Sequence, residues 1–199
     1  MGFILPSTPF YSRLTDGYDY MRNIAKFLKG RSYEVKLEYT KTTVIDELKE
    51  SGFILPKDSL KSIKFRESLL KPGIGVVNDG LRGFEPKEAY KYCCKVTALL
   101  EEKKSNGLPT DDEMSVLSKF GEILDYVVKG PDLDRPDGLF AGYTISSGRM
   151  ESVWMVGRPD LVAERLNAYI SSERYLRNFE SRIAEDPQWN TVNRLLGRT

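Results

Sequence analysis

The sequence predicts an α+β fold: a small mixed or antiparallel sheet packed by helices that do not alternate regularly with its strands. Three observations carry this expectation. Two β-rich runs, 139–145 and 150–156, are joined by Ser146-Ser147-Gly148-Arg149, a short connection with the glycine that a hairpin turn uses. Further strands are expected near 33–39, where Tyr33, Val35, Leu37 and Tyr39 alternate with charged residues, and near 74–77. Apolar residues at helical spacing mark an antiparallel helix pair, 86–104 and 110–129, joined by the polar Ser105-Asn106-Gly107.

The hairpin organises the rest. Leu139, Ala141, Tyr143 and Ile145 share one face of the first strand, and Met150, Ser152, Trp154 and Val156 share one face of the second. Phe140, Val153 and Met155 make the opposite faces apolar as well. A strand pair greasy on both sides belongs between two layers.

Taken in order, residues 3–14 are apolar but interrupted by Pro6 and Pro9, and 1–14 reads as an extended arm. Residues 16–30 and 43–51 carry helical patterns, each ended by a glycine. The pentapeptide GFILP occurs at 2–6 and again at 52–56, but two copies do not make a repeat array. Residues 57–71 read as a short helix or two, stopped by Pro72-Gly73, and Asn78-Asp79-Gly80 reads as a turn. In 86–104 the stripe is Ala89, Cys93, Val96, Leu99 and Leu100. The second helix of the pair opens on Thr110-Asp111-Asp112-Glu113, the S/T-x-x-E form of a capping box, and ends at Gly130-Pro131. Beyond the hairpin a helical C-terminus is expected: 160–170, continuing through 172–185, then a short helix opened by Pro187. The expectation is a single domain over 1–199, with a subdivision near 84 as the alternative.

Composition bounds the chemistry. At 40% hydrophobic and 30% charged, the chain reads as globular and large enough to bury a core. The net charge of +1 does not advertise a nucleic-acid binder. Its two cysteines, Cys93 and Cys94, are adjacent and geometrically unsuited to bridging, which favours a reducing, cytoplasmic setting. No run is long enough to span a bilayer, and the N-terminus lacks the form of a secretory signal. Histidine is absent, which removes the commonest acid–base catalyst near neutral pH and every Ser-His or Cys-His pairing.

Four sets of residues remain as candidates. Lys57, Lys61, Lys64, Phe65, Arg66 and Lys71 interleave cations with an aromatic ring, a pattern that can hold phosphates and stack bases. Asp132, Asp134 and Asp137 could offer oxygen ligands to a divalent cation, against the plainer reading of a solvated loop whose carboxylates cap a turn or pair with arginine. Phe3, Ile4, Leu5, Phe10 and Tyr11 on the arm could dock on a neighbour. Arg174, Arg177 and Arg182 could bind phosphate or a partner's carboxylates, against the alternative of i,i+4 and i,i+3 pairs with Glu173 and Glu180 along a helix.

These features favour a non-enzymatic interaction or assembly protein, of the viral or mobile-element accessory type. Its partner is expected to be another protein or a second copy, with no small-molecule cofactor. The alternatives are a nucleic-acid-binding module using 57–71, and a carboxylate- and metal-dependent enzyme using 132–137.

Overall fold

The computed structural model describes residues 54–68, 71–85 and 87–197. The expected helices at 16–30 and 43–51, the strand at 33–39 and the arm with Phe3, Ile4, Leu5, Phe10 and Tyr11 lie outside these residues. Within them the chain is α+β. Six strands form one open sheet, and every neighbouring pair in it is antiparallel. In chain order these are β1 (Leu60–Ser68), β2 (Lys71–Asn78), β3 (Tyr92–Leu99), β4 (Gly138–Ser146), β5 (Arg149–Val156) and β6 (Phe179–Glu185). The helices are α1 (Asp111–Lys129), α2 (Pro159–Ser171) and α3 (Asn190–Leu196). Across the sheet the order is β1-β2-β4-β5-β3-β6, with strands drawn from both sides of residue 84. No described helix is long and apolar enough to cross a membrane.

The β4–β5 hairpin sits at the middle, as its two apolar faces require. Its loop is Ser147-Gly148, with φ of 50° and 75°, the left-handed pair that matches strand twist in a tight turn. On one face Trp154 is fully buried, tilted against Phe140, and its indole N–H donates to Asp125 of α1 at 2.9 Å. Leu117, Phe120, Leu124 and Val128 of α1, with Val162 and Leu166 of the adjoining α2, are buried as the cover of this face. On the other face Leu139, Val153 and Met155 join a cluster with Val192, Leu195 and Leu196 of α3. Trp189 stacks on Phe84 at 5.5 Å and donates its indole N–H to the carbonyl of Tyr90 at 3.0 Å, pinning the start of α3 to that face.

Helix α1 begins where its capping sequence predicts: the Thr110 hydroxyl accepts the Glu113 N–H at 3.2 Å, and Gly130 closes the helix at φ 80°. The Glu113 side chain does not complete the box, because it is committed elsewhere.

Three helical expectations are corrected. The first helix of the expected pair, 86–104, is instead a single 3-10 turn at Lys87–Tyr90 followed by β3. Cys94, Val96 and Ala98 are buried at a period of two, and β3 lies inside the sheet between β5 and β6. Cys93 is buried on the other face too, so the alternation is blurred and the same residues fall on a helical stripe. Residues 57–71 hold edge strand β1, in which Ile63 and Phe65 turn inward while Lys64 and Arg66 stay exposed; Pro72 and Gly73 belong to β2 rather than ending a helix. Helix α2 does not continue through 172–185: Glu173 takes φ 53°, and Phe179, Ser181 and Ile183 then alternate with Glu180 and Arg182 in β6.

Strands β2 and β4 approach closely at two glycines. A Cβ on Gly75 would run into the carbonyl oxygen of Tyr143, and one on Gly142, which sits at φ 146°, into that of Val76. Gly142 also marks the irregularity at which β4 shifts register on β5. By contrast Gly83 has φ 73° but open space around it. Gly142→Ala should therefore cost about 3 kcal/mol, from strain plus collision, and Gly83→Ala about 1 kcal/mol from strain alone. Urea unfolding of the two variants checks the order.

Candidate functional site

Alternation along the strands sends two sets of side chains to the two faces of the sheet. Cys93 belongs to the α3-side cluster, so Lys95 and Thr97 follow it onto that face. Register places Arg182 of β6 directly opposite Lys95, Glu151 of β5 opposite Thr97, and Thr144 of β4 opposite Glu151. Helix α3 covers only part of this face. Beside it run two linked depressions, about 330 and about 420 Å³, which share Lys95, Thr191 and Arg194.

The smaller depression lies over β3 and β6, with Cys93 and Ala184 in its lining. Lys95, Arg182 and Arg194 bring three cations to it, against Glu185 and Asp186. Asp186 is buried and already engaged. Burial pushes its carboxyl up, but the N–H groups of Thr191 (2.9 Å) and Asn190 (2.8 Å) outweigh that and hold it below the ordinary aspartate value. Lys95 and Arg182 are cross-strand neighbours of like charge, a pairing that opposes folding unless an anion lies between or near them. The Lys95 ammonium reaches Glu151 at 3.3 Å, a half-buried pair still open enough to water to be weak.

The larger depression crosses β5, β4 and β2, lined by Glu67, Lys71, Thr144, Ser146, Arg149 and Glu151 among others. The hydroxyls of Ser146 (2.6 Å) and Ser147 (2.7 Å) both donate to Glu67, and these bonds hold its carboxyl below the usual glutamate range. Both acids of this depression thus have partners already, while no ion pair engages Lys71, Arg149 or Arg182 among the described residues.

The structure disperses the other candidates. Lys61 pairs with Asp79 at 2.7 Å, Asp79 also takes Arg82, and Lys64 and Arg66 fall on the opposite face of β1 from Phe65. The Phe65 ring lies over Gly73, where a Cβ would strike it, so it serves as a cross-strand cover. Lys57 is exposed ahead of β1, and Lys71 alone of this set joins the depression.

In the acidic loop, the Asp132 carboxylate accepts the N–H groups of Asp134 (3.0 Å) and Arg135 (3.1 Å). Asp137 is buried between Arg158 and Arg165, the latter at 2.7 Å. The three carboxylates do not converge, and no group of three His, Cys, Asp or Glu residues able to hold a metal occurs among the described residues.

The sequence had singled out Arg182, but not Lys95, Arg149 or Arg194. Their signal was the alternation of Lys95 and Thr97 with Cys94, Val96 and Ala98, which becomes visible once that segment is read as a strand. Neither thiol is primed for reaction. Burial pushes Cys94 up to about 12 and raises Cys93 as well.

A second ionic centre holds the layers together. Arg177 grips Glu113 through two nitrogens at 2.6 and 3.2 Å and reaches Glu101 at 3.4 Å. Glu113 also accepts the Glu101 N–H at 3.2 Å. One buried carboxylate thus ties the start of α1 to the chain after β3 and the chain before β6. The helix-surface pairing expected of Arg177 gives way to this clasp.

Comparison with known proteins adds a family but no activity. The model of a family described as "Family of unknown function (DUF695)" matches residues 71–196, well over half of the chain. No curated protein matches.

The clasp predicts a pH response. Burial pushes Glu113 up, yet the Arg177 guanidinium and the Glu101 N–H outweigh it and hold its carboxyl below the ordinary value. A depressed folded-state pKa gives stability that is present in full above the unfolded value, about 4.3, and lost as pH falls through the folded value. Glu113→Gln should destabilise the chain by about 2–3 kcal/mol at pH 7, since it leaves Arg177 without its partner. The gap from wild type should narrow as pH falls below about 4.3. Urea unfolding across the acid range measures both.

Proposed function

This chain belongs to the DUF695 family, and we propose that it is a binding protein acting by surface contact, with the uncovered part of its sheet as the recognition surface. One observation carries the reading: beside α3, the uncovered part of the sheet is a charged, hydroxyl-rich channel across several strands. An antiparallel sheet can leave a face to water, and here the exposed strip is a depression rich in charges and hydroxyls, which supports its use for recognition. The channel's chemistry suits recognition. Glu67 is held as a fixed acceptor by two serines, and Thr144 and Thr191 offer hydroxyls.

The nucleic-acid alternative at 57–71 has less support, because Lys61 is paired, Phe65 covers Gly73, and the remaining cations divide between two faces. The carboxylate-and-metal alternative has less again, since Asp137 is taken up by two arginines.

A bulk substitution tests the surface. Thr144 is half-buried in the channel, and Thr144→Trp should fill it while the layers beneath stay packed. In affinity capture from the native source, Thr144→Trp should lose partners that wild type and Lys119→Trp, exposed on α1, retain. Urea unfolding guards against misfolding. Identical capture by all three, or turnover of a small substrate by the chain, would overturn the reading.

A further inference from the structure

We propose that the channel beside α3 receives an acidic polypeptide segment in extended form, lying diagonally over the strands from β6 towards the β4–β5 turn. This rests on the surface reading above and names the partner's chemistry.

The argument starts from the placement of charge. Cations gather at two ends: Lys95, Arg182 and Arg194 over β3 and β6, and Arg149 with Lys71 near the β4–β5 turn, where Glu67 feels the charge of both. Lys95 opposes Arg182 on one side and Val153 of β5 on the other, and Arg149 lies four residues further along β5, two strands from Arg182. At about 4.8 Å per strand and about 3.3 Å per residue the diagonal is about 16 Å, within the length of about six extended residues. A single small anion could satisfy only one end, whereas a segment with acidic residues towards both ends engages the two together.

Glu151 reaches Lys95 but not Arg182 directly opposite it, and Arg182 supports an anionic occupant at the β6 end. Between the ends, the Thr144 and Thr191 hydroxyls and the Glu151 carboxylate face the channel. These groups suit a peptide, whose N–H groups donate to carboxylates and whose carbonyls accept from hydroxyls. No aromatic side chain lines either depression to stack a base. The observations therefore favour an acidic peptide over a nucleic-acid strand.

The experiment uses the full chain and dye-labelled hexaglutamate, followed by fluorescence anisotropy at low salt. The expected result is saturable binding that weakens as salt is added. The pair Lys95→Gln with Arg182→Gln should weaken it at least about tenfold, and Arg149→Gln should weaken it by a smaller factor. The charge-matched pair Lys64→Gln with Arg66→Gln, on the other face of β1, should leave it unchanged. Urea unfolding confirms that the variants fold.

Absence of hexaglutamate binding at low salt, equal loss in the Lys64/Arg66 pair, equal binding by hexaglutamine, or tighter binding of hexauridylate would each overturn the proposal. The two levels separate cleanly. If hexaglutamate fails while Thr144→Trp still loses captured partners, the acidic chemistry falls and the surface stands. If Thr144→Trp also changes nothing, both fall.

Discussion

A helix of seven residues is about 10 Å long, and six strands side by side span about 24 Å from first to last. That mismatch governs this molecule. On one face of the sheet, the nineteen residues of α1 and the thirteen of α2 supply enough apolar surface to seal Trp154, Cys94 and Val96. On the other, α3 must serve with the loops around Phe84 and Tyr90. Apolar side chains therefore concentrate beneath α3, and beyond its reach the strands turn to lysine, arginine, threonine and glutamate. The channel follows from the short helix, and the charges follow from the channel's access to water.

The layers on the sealed side are joined by more than oil. Glu113 is a buried carboxylate that would be costly if unpaired, and the Arg177 fork makes it tolerable. Because Glu113 also accepts the Glu101 N–H, the start of α1 is fixed relative to segments that flank β3 and β6. Those two strands carry Lys95 and Arg182. A contact on one side of the sheet thereby helps set the register of the cations on the other.

Much of the fold was legible in the residues. The central hairpin, β2, α1 with its cap, α2 and the final helix follow from local turn chemistry and clear periodicity. The failures share a cause. In β3, burial of Cys93 on the second face blurs the alternation of Cys94, Val96 and Ala98 with Lys95 and Thr97, and the same residues also fall on a helical stripe. In β6, charged residues at helical spacing imitate surface pairs, while the deciding event, the left-handed turn at Glu173, has no sequence signature because glutamate rarely adopts it. The candidate site inherited these errors. Lys95 and Arg182 meet only after two misread segments become neighbouring strands, and a contact between residues 87 positions apart depends on register rather than on local pattern.

The adjacent cysteines take a consequence from the strand that carries them. Successive residues of β3 point to opposite layers, so the Cys93 sulfur lies towards α3 and that of Cys94 lies under α1, with the sheet between them. Neither sulfur could meet the other without unthreading a strand from the middle of the sheet. The covalent connectivity of the folded domain is thus indifferent to the redox poise around it, as much a property of pleat geometry as of cysteine chemistry.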